Sequence, residues 1–162
     1  MYAARFREGL ALLAGGLQFA EGYGLTASEL RARLNISFLQ ATDDPRLAVA
    51  TARIGFDRAR RLGLPDWTGL LAGNVTAAAF TIGDWDTVIA IENDVLATLT
   101  TPGIEVSEVI GVALAVHALR GDQSIVESHL LRFDASLASA TASQEHGIRT
   151  EIHMLVELAR GS

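Results

Sequence analysis

The sequence predicts an all-α protein. Apolar residues recur with helical spacing, glycine or proline marks regular stops, and no stretch alternates strictly enough for a strand. One such helical stripe consists of Leu30, Leu34, Phe38 and Ala41. We therefore predict about eight helices, near residues 3–22, 26–41, 45–62, 66–82, 85–100, 104–120, 122–138 and 144–160.

The residues at the predicted helix ends explain why the helices start and stop there. Thr26 and Glu29 have the spacing of a capping box, in which each side chain binds a free backbone N–H group. Asp44 precedes Pro45, as an N-cap residue precedes proline at the first helical position. Gly63 follows a cluster of arginines, as glycine often follows a helix C-terminus. Acidic residues also follow a proline or glycine at three further starts, namely Asp66, Asp84 and Asp122.

These landmarks recur along the chain at a nearly constant interval. Gly24-Leu25 returns 39 residues later as Gly63-Leu64, and Asn35 returns as Asn74. Gly83-Asp84 returns as Gly121-Asp122 after 38 residues. A period near 39 that contains two helices is typical of an α-solenoid, in which each helix pair buries its apolar face against the next pair.

The segment Gly83-Asp84-Trp85-Asp86, with Asn74 nine residues before its glycine, resembles the turn of a tetratricopeptide repeat. Asp43-Asp44-Pro45-Arg46 and Gly121-Asp122-Gln123 look like further copies. The resemblance covers residues 24 to about 138, and it implies a right-handed α-solenoid of antiparallel helix pairs. Two residues depart from the pattern: Glu92 replaces a large apolar residue, and Ala72 stands where an aromatic residue is common.

The long repeat unit, whose segment RARRLG ends at Gly63, is similar to the degenerate arrays of bacterial LuxR-type and related large transcription and signalling regulators. We treat residues 1–162 as one tetratricopeptide-like domain. The repeat phase leaves the first and last helices without a pair, and the first helix, with Leu10 and Phe19, is too apolar for a capping helix. We therefore expect a segment of a longer regulator, or ends that self-association covers.

Composition excludes several function classes. The chain has 162 residues, a formal net charge of −6, thirteen arginines, no lysine and no cysteine. The lack of lysine excludes a P-loop or Schiff base, and the lack of cysteine excludes disulfides, thiolate nucleophiles and cysteine-ligated metals. The negative charge argues against nucleic-acid binding by this segment. No apolar run reaches the ~20 residues of a membrane-spanning helix, so we expect a cytoplasmic location without membrane contact.

We also expect no catalytic residues, no metal and no cofactor, and therefore no enzyme. The sequence has no Gly-x-Ser-x-Gly nucleophile motif. Residues 22–27 fit a dinucleotide-binding pattern, but a helix rather than a strand precedes them. The four histidines, His117, His129, His146 and His153, show no metal-ligand spacing within one helix, so a site would require convergence across helices.

The tetratricopeptide register places a mostly uncharged, apolar groove on the first helix of each pair. Its predicted binding residues are Arg31, Asn35, Phe38, Leu70, Asn74, Ala77, Phe80 and Glu108. The resemblance implies that Asn35 and Asn74 hold a ligand backbone; the alternative is that they bond a neighbouring helix. The absence of lysine excludes a carboxylate-clamp groove.

The sequence thus predicts a non-enzymatic regulatory domain that binds a protein or peptide in this groove. Two alternatives stay open. The array is a self-association scaffold that forms a homodimer through its apolar ends, or it is a sensor that holds a small molecule between helices.

Overall fold

A computed structural model describes residues 2–98, 106–137 and 143–160, and all regular secondary structure in these ranges is helical. The helices are α1 (Tyr2–Gly22), α2 (Thr26–Asp43), α3 (Pro45–Arg61), α4 (Pro65–Thr81), α5 (Trp85–Thr98), α6 (Ser107–Arg120), α7 (Gln123–Ser136) and α8 (Ser143–Arg160). The predicted all-α class is confirmed. The helix ends predicted near 100, 104 and 138 lie outside the described residues.

Four of the connections between helices share one turn geometry. Each has a glycine in the left-handed region, with φ between +65° and +81°, at positions Gly24, Gly63, Gly83 and Gly121. The residue after each glycine donates its backbone N–H to a carbonyl five residues earlier, for example Leu25 to Ala20 at 2.8 Å and Leu64 to Ala59 at 3.1 Å. This is the Schellman motif, which requires a residue without a Cβ at the left-handed position.

The predicted helix caps have mixed outcomes. Asp44 caps α3, because its Oδ1 accepts the Leu47 N–H at 3.0 Å. The predicted capping box at Thr26 is wrong: Leu25 is the N-cap of α2, and no side chain caps it. Glu29 instead forms ion pairs with Arg33 and Arg58, at 3.4 and 3.7 Å.

The core lies around α4 and α6, which each pack against several other helices. Successive helices from α1 to α7 contact one another, and α2, α4, α6 and α8 also contact one another in that order. Because α4 and α6 each have neighbours on several sides, they are apolar around most of their circumference. The largest buried apolar side chains are Leu30, Phe56, Leu71, Ile91, Ile110, Leu114 and Phe133. None of the described helices has the length and apolarity needed to cross a bilayer.

Candidate functional site

Three of the predicted groove residues line one cavity between even-numbered helices. Ala77 and Phe80 come from α4, and Glu108 comes from the first turn of α6. The cavity has a volume of about 220 Å³. Its remaining lining residues are Gly111, Val112 and Ala115 of α6 and Glu151, Ile152 and Leu155 of α8. The sequence did not predict the contribution of α8, because the resemblance to the repeat ends near residue 138.

The other predicted groove residues lie on α2 and the first half of α4. Phe38 is 70% exposed and Leu70 is 41% exposed, and Asn35 is also exposed. The guanidinium of Arg31 lies 5.5 Å from the ring centroid of Trp67. None of these residues lines the cavity, so the structure divides the predicted site into the cavity and an exposed strip on α2 and α4.

Asn74 connects α4 to α2. Its Nδ2 donates to the backbone carbonyl of Leu34 and to the Ser37 hydroxyl, both at 2.8 Å. These bonds match the alternative in which the asparagine bonds a neighbouring helix, and they use both amide N–H groups. The Asn74 amide oxygen takes part in neither bond, so it can still accept a hydrogen bond from a ligand.

Glu108 brings a carboxylate to the floor of the cavity beside the α4 backbone. A Cβ placed on Gly73 would lie 2.7 Å from Glu108 Oε2, so a larger residue at position 73 would displace the carboxyl group from its present position. Glu108 is exposed as a whole residue, but its carboxyl lies against protein, and this desolvation raises the pKa of Glu108. With Glu151 on α8, the cavity has two acidic side chains in an otherwise apolar wall.

A second group of polar side chains lies outside the cavity, where α5, α6 and α7 meet. Glu92 of α5 is almost fully buried, with 2% of its side chain exposed. Its Oε1 lies 2.9 Å from His129 Nε2 on α7, and its Oε2 lies 3.6 Å from His117 Nε2 on α6. We call these three residues the Glu92 cluster.

Both imidazole rings of the Glu92 cluster have an acceptor on their other nitrogen. His117 Nδ1 lies 3.2 Å from Asp122 Oδ2, and His129 Nδ1 lies 3.0 Å from the backbone carbonyl of Ile125. These acceptors favour the tautomer with the proton on Nδ1 and the lone pair on Nε2. In that tautomer the lone pairs are on the two Nε2 atoms, which are the ring atoms close to the Glu92 carboxylate.

The Glu92 carboxylate is not satisfied by these contacts. The 2.9 Å contact with His129 does not have hydrogen-bond geometry, so the buried Oε1 has no hydrogen-bond partner among the described residues. Glu92 raises the pKa of His129, first as a hydrogen-bond acceptor at this short distance, although the contact is poorly directed, and then through its charge, while burial opposes the shift. A positive charge next to Glu92 would compensate this buried carboxylate.

Sequence reasoning did not find the Glu92 cluster, although two signals pointed to it. Glu92 occupies a position where the repeat normally has a large apolar residue, and His117 lies within an apolar run. Of the other histidines, His153 contacts Asp134 at 3.0 Å, and the side chain of His146 lies outside the described part of the structure.

Comparison with models of protein families, with curated protein sequences and with solved structures gives no significant match.

Proposed function

We propose that this chain is a non-enzymatic tetratricopeptide-like domain whose even-numbered helices form a concave groove for a peptide or protein segment. The observation that carries the proposal is the cavity between α4, α6 and α8, because it is lined by Ala77, Phe80 and Glu108, three residues that the sequence predicts for the groove. By resemblance, the domain belongs to a bacterial transcription or signalling regulator in the cytoplasm.

The contacts between helices support a solenoid of antiparallel pairs. The α2 and α3 helices run antiparallel. Arg33 of α2 lies beside Gly55 of α3, and Gln40, which is later in α2, accepts a hydrogen bond at 2.8 Å from the hydroxyl of Thr51, which is earlier in α3. Between α2 and α4 the order is the same in both helices, since Arg31 meets Trp67 and Leu34 meets Asn74. Antiparallel neighbours and parallel next-neighbours are what stacked helix hairpins produce.

The chemistry of the cavity favours one kind of ligand. Its wall is apolar, and its two charged residues, Glu108 and Glu151, are both acidic. A carboxylate with a raised pKa gains most from a ligand that brings a positive charge or a hydrogen-bond donor. We therefore propose a peptide with an apolar side chain for the cavity and a lysine or arginine next to it, and the exposed Phe38 and Leu70 extend the contact surface.

The test uses peptides selected from a phage-displayed random library against the wild-type protein. Glu108→Lys should raise their dissociation constants at least about tenfold, a loss of about 1.4 kcal/mol, because it reverses a charge in the cavity. Glu127→Lys makes the same charge change on the exposed surface of α7 and is the matched control. Fluorescence anisotropy measures the affinities.

Phe80→Ala, with Leu131→Ala on α7 as its control, tests the apolar wall in the same way. Thermal melting of each variant separates lost binding from lost folding, since Phe80 also packs against buried residues. Selected peptides that are basic and lose affinity only with the cavity variants support the proposal. Peptides that bind all four variants equally contradict it.

A specific observation favours the second candidate, a self-association scaffold. On α1, Leu12 is 78% exposed and Phe19 is 58% exposed, and the Phe19 ring contacts the exposed Tyr23 with a centroid distance of 4.4 Å. If this surface pairs two chains, light scattering over a concentration series should find a dimer that Phe19→Glu converts to a monomer. Leu131→Glu, at an equally exposed leucine on α7, should leave the dimer intact. A wild-type monomer at all concentrations contradicts the scaffold.

A further inference from the structure

We propose that Glu92, His117 and His129 bind one divalent transition-metal ion of the zinc type, which links α5, α6 and α7. This site is independent of the groove. It is supported by the choice of ligand atoms, their spacing, the second partners of both histidines, and the unpaired oxygen of Glu92.

The ligand set suits zinc. Two imidazole nitrogens and one carboxylate oxygen are a combination that zinc binds with four-coordinate geometry, at about 2.0–2.2 Å from the metal. Ligands at such distances on a tetrahedron lie roughly 3.3 Å apart. In the Glu92 cluster the observed separations are 2.9 and 3.6 Å, and one ligand atom from each residue lies within 4.8 Å of the others. Small side-chain movements therefore complete the geometry.

The second partners of the histidines orient them for a metal. A metal-bound imidazole typically donates its remote N–H group to a carboxylate or to a backbone carbonyl. His117 has Asp122 in this role, and His129 has Ile125. Ser128 Oγ also lies 3.2 Å from His129 Nδ1, but it donates its own proton to the Ile125 carbonyl at 3.0 Å. Both Nε2 lone pairs are thus left for a cation.

The alternative source of positive charge is a proton on one or both rings. Protons would also balance the carboxylate charge, but they leave Glu92 Oε1 without a well-directed hydrogen bond in the described residues. A metal ion shared by all three residues does not require the ring N–H to point at that oxygen. It also explains why an acidic residue replaces an apolar one on a buried helix face, where an unpaired charge is costly.

The experiment measures binding of Zn²⁺ itself to the full chain. The protein is made without a histidine tag, treated with EDTA and dialysed, and titrated with ZnCl₂ by isothermal titration calorimetry. We expect one Zn²⁺ per chain and a rise in melting temperature with Zn²⁺. Mg²⁺ at the same concentration should leave it unchanged, because magnesium prefers oxygen ligands.

Four variants locate the site. His129→Gln and Glu92→Gln each remove a ligand and should abolish the one-to-one binding. Asp122→Asn keeps all three ligands but weakens the orientation of His117, so the affinity should fall by roughly 10- to 100-fold. His153→Gln removes a histidine outside the Glu92 cluster and is the matched control, which should bind Zn²⁺ as the wild type does.

Each result decides for or against the proposal. Absence of Zn²⁺ binding to the folded wild-type chain overturns it and leaves protons as the balancing charge. Binding that survives His129→Gln but is lost with His153→Gln places the ion elsewhere and also overturns it. If Glu92→Gln does not fold, the graded loss with Asp122→Asn and the unchanged His153→Gln still give the answer.

Discussion

The first and sixth helices are both rich in apolar residues, but they are packed very differently. In α1, among residues 5–22, Ala20 is the one buried residue, while Leu12 and Phe19 face outward. In α6 the chain is buried along nearly its whole length, from Ser107 to Ala118. The difference follows from their neighbours: α1 packs mainly on α2, whereas α6 packs on α4, α5, α7 and α8. An apolar sequence thus predicts a helix, but the number of neighbouring helices decides whether its side chains stabilise the fold.

The largest expected difference in stability is between two leucine-to-alanine substitutions, one in α6 and one in α1. Leu114→Ala in α6 removes a side chain with no exposed surface and should lower the free energy of unfolding by about 2–5 kcal/mol, since it leaves a cavity. Leu12→Ala in α1 removes a side chain that is 78% exposed and should change it by less than about 0.5 kcal/mol. Urea denaturation followed by circular dichroism measures both, at a concentration where light scattering finds a monomer.

Two results would contradict this contrast. A large loss from Leu12→Ala would mean that α1 is covered in solution, and repetition at lower concentration would show whether a second chain covers it. A small loss from Leu114→Ala would mean that α6 is not enclosed by its four neighbouring helices.

The fold was predictable because its determinants are local. The helical spacing of apolar residues and the left-handed glycines act within one or two turns of chain, so the helices and the turns at Gly63 and Gly121 follow from the sequence. Local patterns failed where several partners compete for one side chain. Glu29 has the capping-box spacing, but Arg33 and Arg58 lie within reach of its carboxylate, and the ion pairs with them replace the cap.

The candidate sites also depend on contacts that local sequence patterns do not show, here between helices that are far apart in the sequence. The repeat register predicts Phe80 and Glu108 on one surface, and both side chains line the cavity between α4, α6 and α8. It could not supply Ile152, whose helix does not follow the repeat. The Glu92 cluster was also missed, because its residues come from three helices, and the signals at Glu92 and His117 do not show that these side chains meet.

A smaller effect is expected from substitutions at two helical glycines, one in α6 and one in α1. They test whether close packing, rather than amino-acid composition, makes α6 more important than α1 for stability. A Cβ on Gly111 of α6 would lie 3.0 Å from Phe133 Cε2 and 3.2 Å from Ile152 Cγ1, whereas a Cβ on Gly15 of α1 has no neighbouring atom within 4 Å. Gly111→Val should therefore overpack the junction with α7 and α8 and cost about 1–3 kcal/mol.

Gly15→Val is the matched control, and it should be neutral or stabilise by up to about 0.5 kcal/mol, because valine is a slightly better helix former than glycine. Urea denaturation measures both variants. Equal effects at the two positions would mean that α8 moves away from α6 at little cost. The cavity between α4, α6 and α8 would then widen readily, because Gly111 and Ile152 line it together. A large difference would instead show that α6 and α8 hold the cavity wall in place before any ligand binds.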